Sequence, residues 1–268
     1  MLPILKHLGG KKLEIRHFEH LVPTHYDRYY EPFFGGGAVF WHLARPHSVI
    51  SDLNENIINF YLELKHNAEQ VRADIAVLKE YHDSLETIDD KKAFYYEVRD
   101  AVNGLESQFI GLNKWALFFT LNKMAFHGIV RYKKNGDINS HYGFKGKFHG
   151  AYLLDENLEL LKTTEILCAD YQDALSTATE NDFVFLDPPY DCIENKYGNE
   201  GKWKEQDFMR LKSYLSTVPF KYIMTINSTE LTRDLFGGQV KDKYYKHYCF
   251  NQNKRKRAGE DTLIITNY

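Results

Sequence analysis

The sequence predicts an α/β fold: a largely parallel sheet with a mainly helical lobe inserted into it. Three observations carry that expectation. Short β-branched and aromatic runs alternate with helical periodicities at both ends of the chain. Glycine- and proline-rich turns directly follow two of those runs, where open sheets place their ligand crevices. From residue 68 to 150 the alternation stops and helical patterning takes over.

Tyr29-Tyr30 leading into Glu31 is the first expected strand, and Ser48-Val49-Ile50 the second. A helical pattern over 55–82 carries Ile57, Ile58, Tyr61, Leu62 and Leu64. Helices are expected at 91–103 and 107–122, then a loop rich in Gly, Lys, Asn and His. Glu165-Ile166-Leu167, Phe183-Val184-Phe185-Leu186 and the run Tyr222 to Ile226 supply further strands. A helix at 205–216 is marked by Phe208, Leu211 and Leu215, and Thr262 to Thr266 forms the last strand. The expected division is a sheet domain from 1–67 and 151–268, with 68–150 as the insert. A helical insertion of that length usually carries specificity rather than chemistry.

With 43% hydrophobic residues the chain has material for one sizeable core, and 26% charged residues suit a soluble protein. No apolar run approaches about 18 residues, and the amino terminus lacks a signal-peptide pattern, so a cytoplasmic protein without membrane contact is expected. Cys168, Cys192 and Cys249 have neither metal-ligand nor disulfide spacing and read as reduced thiols. A net charge of −3 argues against general coating of nucleic acid. Its distribution matters more. Residues 123–149 hold six basic residues against Asp137, and residues 241–257 hold seven against Asp242. Two such stretches suit one basic face toward phosphates, and equally suit a pair of solvated loops.

The chemistry-bearing motifs stand at predicted strand ends. Glu31-Pro32-Phe33-Phe34-Gly35-Gly36-Gly37 joins a strand to the helix start Ala38-Val39-Phe40. Glycines there allow positive φ and close approach of a ligand, although by itself such a turn serves equally as a tight corner. Asp52 ends the second strand, about 20 residues after a glycine-rich turn, where a carboxylate is well placed for ribose hydroxyls; the competing role is helix capping, for which Asn54 is better placed. Asp187-Pro188-Pro189-Tyr190 follows a buried-strand run, and its two prolines force the chain out of the sheet rigidly. The carboxylate and the Pro188 carbonyl suit the two N–H bonds of a flipped-out amino base, with Tyr190 stacking on its ring. A purely structural turn remains the alternative.

Taken in order, Gly9-Gly10-Lys11, Pro32 to Gly37, Asp52, the insert and Asp187 to Tyr190 resemble the Dam-type DNA adenine methylases, the D12 class N6-adenine-specific methylases. The resemblance runs over most of the chain. It implies a Rossmann-like S-adenosylmethionine-dependent methyltransferase sheet, with the insert as target-recognition lobe. It assigns catalysis to Asp187, Pro188 and Tyr190. S-adenosylmethionine contacts are implied for His7, Gly10, Lys11, Glu31, Phe33, Gly35 and Gly37, and also for Asp52, Asp170, Tyr171 and Asp187. His7-Leu8 stands where the family has Trp-Ala, a departure beside the cofactor's amino-acid end.

Leu121-Asn122-Lys123 through Arg131-Tyr132 resembles the family's recognition segment, and Asn135-Gly136-Asp137 its hairpin turn. Double-stranded DNA contacts are implied for Lys123, Phe126, His127, Arg131, Lys133 and Asn139, with Lys254 and Arg255 on phosphates. Arg131 matches a guanine-reading arginine, and a phosphate contact is its alternative. Phe126-His127 replaces the family's frequent Tyr-Asn. Asn227-Ser228 is expected in the pocket wall. No metal is called for, a cognate restriction endonuclease is a conceivable partner, and a monomer or weak dimer is expected. Rival readings are methylation of cytosine N4, of RNA adenine or of a protein glutamine, and a silent DNA-binding relative. Asp at 187 favours adenine by family association, and the insert favours DNA.

Overall fold

The computed structural model describes residues 1–7, 9–143, 148, 153–191, 203–247 and 259–268, without the side chains of His127 and His247. These residues form one seven-stranded sheet in the order β3-β2-β1-β4-β5-β7-β6. The strands are β1 (Tyr29–Glu31), β2 (Val49–Asp52), β3 (Glu165–Cys168), β4 (Phe183–Leu186), β5 (Lys221–Asn227), β6 (Val240–His247) and β7 (Gly259–Thr266). β1 to β5 pair in parallel, and β7 runs antiparallel between β5 and β6. Every strand expected from the sequence is present. Chain order reverses beside β1, which lies between β2 and β4, and that reversal opens a crevice at the carboxyl ends of the strands.

β4 shows how the sheet is covered on both faces. Its four residues are all buried, with Phe183 and Phe185 in one apolar cluster and Val184 and Leu186 in the other. That two-residue period is the pleat, and burial on both faces marks a central parallel strand. β6 was not legible as a strand, and residues 241–247 are an edge strand rather than part of a basic loop. Lys241, Lys243 and Lys246 break its apolar pattern, and lysines are what an unpaired edge carries to discourage further pairing.

The helices are α1 (Ala38–Leu43), α2 (Glu55–His66), α3 (Ala68–Ser84), α4 (Ile88–Val102), α5 (Lys114–Met124), α6 (Asp155–Thr163), α7 (Tyr171–Ala174), α8 (Glu205–Leu215) and α9 (Glu230–Phe236). The helical pattern over 55–82 is two helices, because Asn67 leaves helical geometry between them. The helix expected from 107 starts at Lys114, where the Asn113 side-chain Oδ1 accepts from the N–H groups of Trp115 and Ala116. α5 is buried almost all round and is the centre of the helical stretch. One apolar cluster runs from Phe183 and Phe185 through Phe60 and Tyr61 of α2 to Phe118 and Phe119 of α5. The inserted helices therefore share their core with the sheet. No described helix is long and apolar enough to cross a membrane.

Candidate active site

The crevice holds a cavity of about 360 Å³, within the roughly 300–1,000 Å³ usual for small-molecule sites. The carboxyl ends of the first four strands feed it: Pro32 to Gly37 after β1, Asp52 and Leu53 at β2, Asp170 and Tyr171 after β3, and Asp187 to Tyr190 after β4. The glycine turn is built by its hydrogen bonds. Gly35 N–H donates to Asp52 Oδ2 at 2.7 Å, and Asn54 N–H to Asp52 Oδ1 at 2.9 Å. Asp52 thus braces the turn, while Asn54 caps α2 by accepting from Asn56 and Ile57. Gly35 and Gly37 have φ of +47° and +63°, the left-handed region where a side chain is strained. His7 lies against this turn, so that a methyl on Gly35 would sit 3.0 Å from its Nδ1.

Glu31 ends β1 beneath the turn and is 3% exposed. Its Oε2 accepts from the Tyr29 hydroxyl at 2.6 Å and from Phe40 N–H, in the first turn of α1, at 2.7 Å. Oε1 has no protein donor among the described residues. Burial pushes the carboxyl up to about 8, against the lowering effect of those two donors. The folded group keeps its proton up to about pH 8 and the unfolded one releases it near 4.5, so this contribution to stability is lost as pH rises between them. Glu31→Gln cannot ionise, and its amide oxygen can accept both bonds. Its Tm is expected to gain several degrees on wild type between about pH 5 and 8, each kcal/mol being worth roughly 2–4 °C. Differential scanning calorimetry checks this, and a difference that stays flat with pH contradicts it.

Asp187 is held at both oxygens. Lys11 Nζ lies 2.6 Å from Oδ2, and the buried Thr225 hydroxyl of β5 donates to Oδ1 at 3.2 Å. Burial alone would lower the Lys11 ammonium, but Asp187 and Glu14 outweigh it and raise the group above the ordinary lysine value. Lys11 remains charged. Its ammonium also stands 4.9 Å from the centroid of the Tyr190 ring, and Lys246 of β6 approaches the same ring at 5.4 Å. Tyr190 is buried between these groups. Glu14 ties the cluster together, pairing with Lys246 at 2.8 Å and accepting from the Tyr244 hydroxyl at 2.5 Å. Asn227 does not form pocket wall: its amide exchanges two bonds with the Asp191 backbone, pinning the chain just beyond Tyr190.

At the other end of the cavity Phe33 stacks on Tyr171 at 5.5 Å, and Trp203 meets Phe33 edge-on at 5.6 Å. Arg210 of α8 lies over Tyr171 and pairs with Asp170 at 2.5 Å. Burial pushes the Tyr171 hydroxyl up to about 12. An aromatic wall beside a carboxylate suits a flat heterocycle with exocyclic N–H groups. The open glycine cradle, the uncommitted Glu31 oxygen and this wall together fit a nucleoside bearing a charged amino-acid tail. Sequence reasoning missed Trp203, Arg210, Thr225, Glu14 and Lys246. Arg210 lies on a helix legible only through its apolar face, and Thr225 is one polar residue in an apolar strand.

The expected DNA-contacting residues divide. Tyr132 bridges Ile138, and Lys133 N–H donates to the Asp137 carbonyl, so the Asn-Gly hairpin is formed. Arg131, Lys133 and Asn139 are exposed along it. Phe126 is also exposed, at 41%. Lys123 is corrected: it is 4% exposed, and its ammonium donates to the Ile4 carbonyl inside the protein. It occupies the last turn of α5 on a face that points into the core, and burial pushes the ammonium down to about 7. The His127 side chain, Lys254 and Arg255 lie outside the described residues.

The family model described as D12 class N6 adenine-specific DNA methyltransferase matches residues 7–252. Type II methyltransferase M.CviBI of Paramecium bursaria Chlorella virus NC1A is 30% identical over 276 residues, covering 100% of both chains. Type II methyltransferase M.MjaIII of Methanocaldococcus jannaschii is 28% identical over 290 residues, covering 99% of each. The DNA adenine methylase of Haemophilus influenzae is 24% identical over 274 residues, which is 98% of this chain and 92% of that one.

Proposed function

The chain belongs to the D12 class N6 adenine-specific DNA methyltransferases, and from that membership we propose that it uses S-adenosylmethionine to methylate adenine N6 at a specific site in duplex DNA. The observation that carries this reading is Asp187, whose two oxygens are fixed by Lys11 and Thr225 at the edge of the cavity that also contains the glycine turn. When bound, S-adenosylmethionine supplies a methyl group on a positively charged sulfur. Glu31, the turn at Gly35 to Gly37, and Asp52 would hold its amino-acid and ribose portions. Phe33, Tyr171 and Trp203 would hold its adenine ring.

The remaining work falls to this chain's own side chains. A target adenine turned out of the helix enters beside Tyr190 and stacks on its ring. Asp187 and the Pro188 carbonyl accept hydrogen bonds from the two N6–H groups, which makes the nitrogen more tetrahedral and frees its lone pair. N6 would attack the methyl carbon directly, without a covalent enzyme intermediate, as the methyl–sulfur bond breaks and its electron pair stays on sulfur as an uncharged thioether, and the surplus proton on N6 would then leave to solvent. Lys11 keeps Asp187 oriented before the base arrives. Arg131, Lys133, Asn139 and Phe126 present the hairpin face to DNA. A cytoplasmic setting is part of this reading.

Purified protein incubated with methyl-labelled S-adenosylmethionine is expected to label unmodified genomic-length duplex DNA and to leave RNA and protein unlabelled. Labelling of RNA or of a protein in place of DNA overturns the polymer assigned here.

A further inference from the structure

The inward-facing end of α5 makes a connection that the recognition-segment resemblance does not describe. The Asn122 amide pairs with both backbone groups of Lys6: its oxygen accepts from Lys6 N–H at 2.8 Å, and its nitrogen donates to the Lys6 carbonyl at 2.8 Å. The same nitrogen donates to the Gly128 carbonyl at 3.2 Å. Lys6 Nζ returns a bond to the Lys123 carbonyl at 2.6 Å, and the Lys123 ammonium holds the Ile4 carbonyl. Gly128 has φ of +70°, and a methyl there would lie 2.3 Å from Lys6 Cβ, so the turn fits against this segment only as glycine. One residue further, His7 lies on Gly35 and Gly36 of the cofactor turn. Three residues beyond Gly128 stands Arg131, exposed on the hairpin.

We propose that Asn122 is a positioning residue that couples the DNA-facing turn at Phe126–Gly128 to the cofactor turn through residues 4–7, so that duplex DNA and cofactor bind cooperatively. Lys6 is bonded to Asn122, which also holds Gly128, and His7 lies against Gly35 and Gly36. Ordering residues 4–7 from either side lowers the entropy cost of binding at the other, which is a coupling free energy and is reciprocal. Asn122 touches neither ligand in this account. The inference rests on the functional reading above.

The test is the dissociation constant of S-adenosylhomocysteine, measured calorimetrically with and without saturating genomic-length duplex DNA. Wild type is expected to bind it about fivefold or more tightly with DNA present, the lower end of ordinary coupling. Asn122→Ala is expected to bring that ratio to within about twofold of one. A merely structural role would lower Tm or weaken each ligand separately, leaving the ratio unchanged. Lys123→Met, which removes the bond to Ile4 while keeping volume, is expected to reduce the ratio as well and serves if Asn122→Ala does not fold. Wild type that binds both ligands with a ratio of one, or variants that keep the full ratio, overturn the coupling alone. Wild type that binds neither ligand overturns the functional reading and the coupling with it.

Discussion

Asp187→Ala is expected to lower the single-turnover rate of methyl transfer by at least about 10³-fold, at the upper end for loss of one preorganised polar group. In the proposed mechanism the alanine removes the acceptor that polarises the target amine. It also leaves the Lys11 ammonium, 4% exposed, facing an empty position. Lys11 still has Glu14 at 3.9 Å and the Gly9 carbonyl at 3.3 Å, so the fold should survive. The effect should therefore appear in the chemical step, with Tm within a few degrees of wild type. Rapid-quench kinetics on duplex DNA checks it. A residual rate within about tenfold of wild type removes Asp187 from the chemistry, since even modest general catalysis is worth roughly 10²-fold.

Gly37→Ala is the second large effect, and it acts on the glycine turn proposed to hold the cofactor. A methyl on Gly37 would lie 2.3 Å from Phe34 Cζ and 2.4 Å from its Cε2. The Phe34 ring has nowhere to go: it is 2% exposed and packed edge-on against Phe40 at 5.7 Å and Tyr61 at 5.2 Å. Left-handed φ adds about 1 kcal/mol to the roughly 1–3 kcal/mol of crowding. Either the turn opens or the core shifts. S-adenosylhomocysteine affinity is expected to fall more than about 30-fold, corresponding to roughly 2 kcal/mol. Gly136→Ala is the control. Its φ is +89°, but nothing lies within 4 Å of the new methyl, so backbone strain is present without crowding at the cavity. Calorimetric titration of both variants separates the two causes, and equal loss in both would mean that the Phe34 contact does not matter.

Much of this site was legible because its parts are local. Pro-Pro after a buried run, glycines after a strand and a carboxylate at the next strand end announce a ligand crevice without knowledge of the contacts. What escaped is what depends on three-dimensional closure. Lys123 and Arg131 look alike in sequence as basic residues of one segment. Only the direction of α5 sends the first to the Ile4 carbonyl while the hairpin leaves the second in solvent. Asp52 could be weighed between ribose and capping, but its bond to Gly35 N–H joins positions 17 residues apart. Lys246 reached the Tyr190 ring from a strand whose charges hid it. Trp203, just before α8, and Arg210, within it, enter the cavity from far in sequence from Phe33 and Tyr171.

The central claim is that the amine held by Asp187 is adenine N6. Its most direct test is to methylate unmodified duplex DNA with labelled S-adenosylmethionine, digest the product to nucleosides and separate them by chromatography with mass detection. Label is expected in N6-methyldeoxyadenosine alone, and is expected to disappear with Asp187→Ala. Label in N4-methyldeoxycytidine, or unlabelled DNA from wild-type protein that binds both DNA and S-adenosylhomocysteine, would contradict the assignment.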